Sequence, residues 1–275
     1  MKTRIISGAV IAAILAGVIA LGFYHTLTYS VVTALLGAIC VFELFHSTGF
    51  VKSTPLIVAG ALFAMVSPFI NENALNFDYS LALYVFVAVV VVISLIFHKK
   101  IYPTTMAYAI AVPIIISCCF RAIVLLTTES LSGMFHLALL ICYTVFADVG
   151  AYFTGVYFGK HKMAPTISPK KTYEGLIGGM VTSIIGVLAV CLFFKTLSNM
   201  ITIRVILTVL TTPIFVLLGV VGDLAASYIK RYAAIKDFGD VIPGHGGIMD
   251  RIDSMLLVAP LFYVFNEIFK LSGIN

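Results

Sequence analysis

The residues equipped for chemistry crowd into one stretch, Ser227 to Asp253. Lys230, Arg231, Lys236 and Arg251 stand among Asp237, Asp240, Asp250 and Asp253, with Gly239, Gly244, Gly246, Gly247 and His245 between them. Dense charge of both signs beside glycine-rich turns suits an anionic, metal-bound ligand, because turns of this kind aim backbone N–H groups at phosphate and carboxylates hold the cation. A membrane protein tolerates such polar, irregular backbone only where protein covers it or water reaches it. Asp223 lies just upstream in an otherwise apolar run, where an ionised carboxylate costs about 2.5 kcal/mol or more on insertion scales. It invites a functional reading, with a structural ion pair as the alternative.

Asp250 and Asp253 are three residues apart and so share a helix face. One of them could simply complement a helix N-terminus. Carboxylates from facing helix ends, with water nearby, make a plausible oxygen-ligand site for Mg²⁺. Asp148, in a run with Gly150 and Ala151, either joins that site or fixes a basic side chain. A second polar segment carries Lys160, Lys162, Ser168, Lys170 and Lys171, with Thr172 placed to cap the helix that follows. It lacks the spacing of a P-loop. Lys170 and Lys171 beside a helix start form a phosphate clamp, or else touch only lipid headgroups. His245 either binds phosphate, transfers a proton or stabilises its turn. Glu43 and Arg121, deep in apolar segments, pair with each other or with the site.

The elements that position these residues follow from composition. Of 275 residues, 61% are hydrophobic and 11% charged, against about 25% charged in a soluble domain. Apolar runs of the length that crosses a bilayer recur throughout. The expected fold is an all-α, polytopic transmembrane helical bundle of about nine spans. They cover 4–24, 28–47, 54–70, 80–98, 103–127, 130–158, 174–195, 204–230 and 251–270. The third is short, Pro113 should kink the fifth, and the sixth is long enough to break near Asp148. We expect N-terminal helices over 1–127 and a catalytic region over 128–275, with cytoplasmic polar segments at 159–173 and 231–250. Bases concentrate in alternate loops, which puts the N-terminus and both polar segments in the cytoplasm. The net charge of +5 is spread over short loops, so no nucleic-acid partner is expected. Five cysteines lie inside apolar runs without a CxxC pair, so neither zinc nor disulfides are indicated.

The stretch Ser227–Asp253 resembles the signature of the phosphatidate cytidylyltransferase (CDP-diacylglycerol synthase) family. The matching positions are Ser227, Ile229, Lys230-Arg231, Lys236-Asp237, Gly239, Ile242-Pro243, His245-Gly246-Gly247, Ile248, Asp250-Arg251 and Asp253. Upstream, Asp148 to Phe153, Gly155 and Ser168 to Gly175 are also similar, with Tyr173 where the family usually has Trp. The resemblance implies transfer of CMP from CTP to phosphatidic acid, giving CDP-diacylglycerol and pyrophosphate. It implies Mg²⁺ on Asp223 and Asp250, K⁺ as a second cation, a homodimer, and a place in the plasma membrane. Asp148 and Asp253 are further metal candidates. Asp223, Asp250, Lys230, Arg231, Lys236, His245 and Arg251 are expected to carry the reaction. Ser168, Lys170, Lys171, Ser227, Gly246 and Gly247 are expected to hold the substrates.

Phosphatidate brings its own nucleophile, a phosphomonoester oxygen with a second pKa of about 6. No activated Ser or Cys is needed. Catalysis should rest on charge neutralisation and in-line positioning. Two rivals remain at this stage: a CTP-dependent transferase for another lipid phosphate, and an ion-coupled transporter using Asp223, Asp148 and Arg121 as midplane charges.

Overall fold

The computed structural model describes residues 2–25, 27–70, 78–128, 130–197, 201–242, 244 and 246–274. Eleven α-helices dominate it: α1 (Lys2–Tyr24), α2 (Leu27–Thr48), α3 (Thr54–Val66), α4 (Tyr79–Ile96), α5 (Pro103–Leu126), α6 (Ser130–Ile141), α7 (Ala147–Phe158), α8 (Tyr173–Leu197), α9 (Val205–Tyr232), α10 (Met249–Ile252) and α11 (Met255–Phe269). Two small antiparallel sheets, β1 (Lys162–Ala164) with β2 (Ser168–Thr172) and β3 (Ile201–Ile203) with β4 (Ser272–Ile274), were not expected.

Among the described residues six helical runs are long and apolar enough to cross a membrane: 27–48, 79–96, 103–126, 131–158, 173–197 and 205–232. The chain is therefore an all-helical, polytopic integral membrane protein in its main architecture. The apolar helices 54–69 and 255–269 are shorter. The last expected span, 251–270, is interrupted. Asp250 lies in α10, and Asp253 lies in the turn before α11, so the two do not share one helix face.

The chain forms two compact units. One comprises residues 1–124 with 229–252, the other 125–228 with 253–275. In the first, α3 starts with proline in its opening turn, where the missing N–H costs nothing. Asp78 caps α4 by accepting from the Ser80 hydroxyl at 2.6 Å and the Ser80 N–H at 3.1 Å, which holds its carboxyl below the usual range. Helix α5 runs on through Pro113, and the proline ring lies where a Cβ on Gly60 would stand, 2.8 Å away. Arg121 rests over the Tyr79 ring at 4.4 Å and donates to the Ile70 carbonyl at 3.4 Å.

In the second unit α7 and α8 pack backbone to backbone. A Cβ on Gly179 would sit 2.7 Å from the Ala147 carbonyl, and one on Gly175 2.8 Å from that of Ala151. The small residues recur every fourth position (175, 179, 183), the spacing that lets membrane helices approach closely. Residues 131–158 stay one helical run and do not break near Asp148; Cys142–Phe146 forms a π-turn within the run, joining α6 to α7. Such a turn misaligns carbonyls that apolar surroundings cannot satisfy. Helix α8 supplies the missing donors. The Ser183 hydroxyl donates to the Cys142 carbonyl at 2.8 Å and the Thr182 hydroxyl to that of Phe146 at 3.0 Å.

Candidate active site

The candidate residues fall into two groups, one in each unit. In the unit of residues 125–228 and 253–275, a cavity of about 210 Å³ is lined by Tyr143, Asp148, Lys170, Lys171, Asp223 and Ser254 among others. The π-turn delivers Tyr143, and one turn of α7 delivers Asp148. The strand β2 brings Ser168, Lys170 and Lys171, so the clamp expected in a loop before a helix sits on a hairpin. The hairpin is tied down twice. Thr172 caps α8 as expected, its hydroxyl accepting from the Gly175 N–H at 3.1 Å. Glu174, in the first turn of α8, accepts from the N–H groups of Lys160 (3.1 Å) and His161 (3.2 Å) and meets His161 Nδ1 at 2.6 Å.

Within the cavity Lys171 Nζ lies 2.6 Å from Asp223 Oδ2 and reaches toward the Val220 carbonyl at 3.5 Å. Ser227, one turn along α9, donates its hydroxyl to Asp223 Oδ1 at 3.2 Å. The Asp223 side chain keeps 26% exposure. Lys170 is exposed on the cavity rim, as is Asp148, and Ser168 is half-buried. Asp253 is buried and accepts from the adjacent Ser254 N–H at 2.8 Å. Tyr143, which sequence reasoning missed, is fully buried against Phe215 and Phe262, and its hydroxyl has no hydrogen-bond partner among the described residues. A tyrosine within a helical apolar run carries no signal that separates this position from a packed core.

The unit of residues 1–124 and 229–252 holds Lys230, Asp250 and the glycine-rich turns. Lys230 Nζ lies 2.8 Å from Asp250 Oδ1 and 5.2 Å from the centre of the buried Phe238 ring. Asp250 Oδ2 accepts from the N–H groups of Phe238 (2.8 Å) and Gly247 (3.1 Å), leaving that side chain 4% exposed. Gly244 (φ +77°) and Gly246 (φ +86°) take left-handed conformations that side chains resist, and the turn closes with the Ile242 N–H donating to the Gly246 carbonyl at 3.0 Å. Lys236, Arg231 and Arg251 are exposed. Pro243 and His245 lie outside the described residues.

Glu43 does not pair with Arg121. It is buried, and its two carboxylate oxygens accept from the N–H groups of Ile248 (3.1 Å) and Met249 (2.9 Å). The signal for it was an acid in an apolar run, but its partners are backbone groups that no residue type announces.

Among the described residues no three His, Cys, Asp or Glu side chains gather closely enough to hold a metal ion. Mg²⁺ is usually held by one or two carboxylates together with substrate phosphates rather than by an all-protein cage, so this does not count against it. A carboxylate offers about four lone-pair sites. Asp223 uses two here and Asp250 three, so each retains an oxygen site of the hard kind Mg²⁺ takes. The donor set fits.

The sequence pattern of the Cytidylyltransferase family matches residues 2–269. The phosphatidate cytidylyltransferase of Staphylococcus haemolyticus is 46% identical over 117 residues, which is 42% of this chain and 43% of that protein. The phosphatidate cytidylyltransferase of Haemophilus influenzae is 41% identical over 146 residues, 50% of this chain and 48% of that protein. The chain spans about half the length of these relatives it matches.

Proposed function

This chain belongs to the Cytidylyltransferase family, and from that premise we propose that it transfers CMP from CTP to phosphatidic acid, yielding CDP-diacylglycerol and pyrophosphate. The observation that carries the reading is the family match over nearly the whole chain. The cavity where Lys171 and Asp223 meet supports it, since phosphoryl transfer asks for cations and carboxylates rather than for a nucleophilic side chain.

The reaction needs no covalent enzyme intermediate. The phosphatidate monoester, a dianion above its second pKa of about 6, attacks the CTP α-phosphorus directly. One P–O bond forms there. The bond to the oxygen bridging the β-phosphorus breaks, and its electron pair leaves with pyrophosphate. Lys170 and Lys171 hold phosphate oxygens from the hairpin, the second by turning from Asp223. Lys230, Arg231, Lys236 and Arg251 are the corresponding cations of the other unit; arginine can grip two oxygens, lysine acts as a point charge. Ser168, Ser227 and the N–H groups of Gly246 and Gly247 add hydrogen bonds to substrate, and His245 completes the set. Asp223 and Asp250 would hold Mg²⁺, with Asp148 and Asp253 as further acids and K⁺ as a second cation. When bound, that ion polarises phosphoryl oxygens and stabilises the departing pyrophosphate.

The same reading has the protein crossing the plasma membrane nine times, with α1, α3 and α11 added to the other six runs. It places the N-terminus and both polar segments in the cytoplasm, where CTP is, and the molecule works as a homodimer. The test is incubation of purified protein with labelled CTP, Mg²⁺ and phosphatidate, followed by identification of the product. CDP-diacylglycerol with equimolar pyrophosphate is expected. Label appearing only on a polyprenol or ether-lipid phosphate would replace the acceptor, and no transfer to any lipid phosphate would overturn the reading.

A further inference from the structure

Glu43 is buried to 5% exposure in α2, an apolar helix, and among the described residues no cation pairs with it. An ionised carboxylate in that setting is costly unless hydrogen-bonded. Its partners are two backbone N–H groups 205 and 206 residues away, those of Ile248 and Met249, where α10 begins. The fit around it is close. A Cβ on Gly239 would stand 2.6 Å from Glu43 Oε1, and one on Gly247 2.6 Å from Oε2. Two glycines and two N–H groups thus form a close socket around the Glu43 carboxyl group.

The socket adjoins the acid of the site. The Gly247 N–H, next to the two that Glu43 binds, donates to Asp250 Oδ2, and so does the Phe238 N–H, next to Gly239. Asp250 in turn holds Lys230 at 2.8 Å. Glu43 therefore hydrogen-bonds one segment that feeds Asp250, at 248–249, and packs closely against the other at Gly239. We propose that Glu43 is a positioning residue: it contacts no substrate and fixes the backbone that orients the Asp250–Lys230 pair. The catalytic consequence rests on the cytidylyltransferase reading; the structural one does not.

The test compares the full-length protein with Glu43→Gln and Glu43→Asp. Glutamine keeps the shape but offers one acceptor oxygen where two N–H groups donate, and aspartate is one methylene short. Amide hydrogen exchange is followed in the purified protein, together with kinetics at varied CTP and Mg²⁺. In Glu43→Gln, exchange should quicken about tenfold or more at Ile248 and Met249 and also at Phe238 and Gly247, the donors to Asp250. The kcat should fall about tenfold or more while KM for CTP changes less than about threefold, and half-maximal activity should need more Mg²⁺. Unchanged exchange at Phe238 and Gly247 would reduce Glu43 to a local cap and overturn the proposal. So would faster exchange at those amides with kcat intact. Should the wild-type protein form no CDP-diacylglycerol, the functional reading fails, and the exchange arm still decides whether Glu43 holds the Asp250 backbone.

Discussion

Asp223 carries a lysine on one oxygen and a serine hydroxyl on the other. Asp223→Asn keeps the shape and removes the charge. It should lower CMP transfer by about two orders of magnitude, as loss of a principal electrostatic group does, with detergent-extracted yield and elution volume unchanged. Near-normal turnover would remove Asp223 from the chemistry. Gly247→Ala puts a methyl carbon 2.6 Å from Glu43 Oε2. It should cost about 1–3 kcal/mol of stability, the usual range for overpacking, read as a fall in apparent melting temperature alongside lost activity. Asp223, Asp250 and the lysines were legible in the sequence because charge in an oily chain is expensive and stands out. The pairings Lys171 with Asp223 and Lys230 with Asp250 were not, since many bases of the same type offer themselves. Glu43 was visible as an anomaly, yet its role was hidden because its partners are main-chain N–H groups.

The hairpin sets the position of Lys171, and the π-turn that of Tyr143. Helical periodicity announced the long runs, and Thr172 announced the start of α8. Nothing announced β1 and β2, whose few residues alternate too briefly to give a pattern, nor the π-turn, whose residues Cys142–Phe146 look like ordinary helix. The glycines at 175 and 179 were a readable sign of close helix contact. Gly179→Leu should push α7 from α8, disturb the hydroxyl caps on the π-turn and lower both thermal stability and activity; a protein that melts and turns over as wild type would mean the helices are not held at that contact. Thr172→Val removes the cap of α8 and should cost about 1 kcal/mol. Because the same residue ends β2, KM for the anionic substrates should also rise, whereas a pure helix-end effect would leave it alone.

At the scale of the chain, residues 229–252 group with the N-terminal helices, although 125–228 intervene in sequence. The signature stretch itself gave no hint of that, because the bond that ties it to α2 spans more than two hundred residues. Nine apolar runs were legible, and among the described residues six of them qualify as crossings by length and composition. Cysteines introduced at Lys162 and Ala234 should both react with an impermeant reagent only in inside-out vesicles; labelling of either from the outside would invert or break the proposed topology. Asp223 and Asp250 each rest against a lysine of their own unit. These couples resemble an internal salt, so neither charge faces hydrocarbon alone while the protein waits. On the proposed reading a metal–nucleotide complex is also a salt, and its arrival at such a couple would be a double exchange, the ammonium trading carboxylate for phosphate and the carboxylate trading ammonium for cation. Free nucleotide or free metal can complete only half of that trade, so their binding should be synergistic.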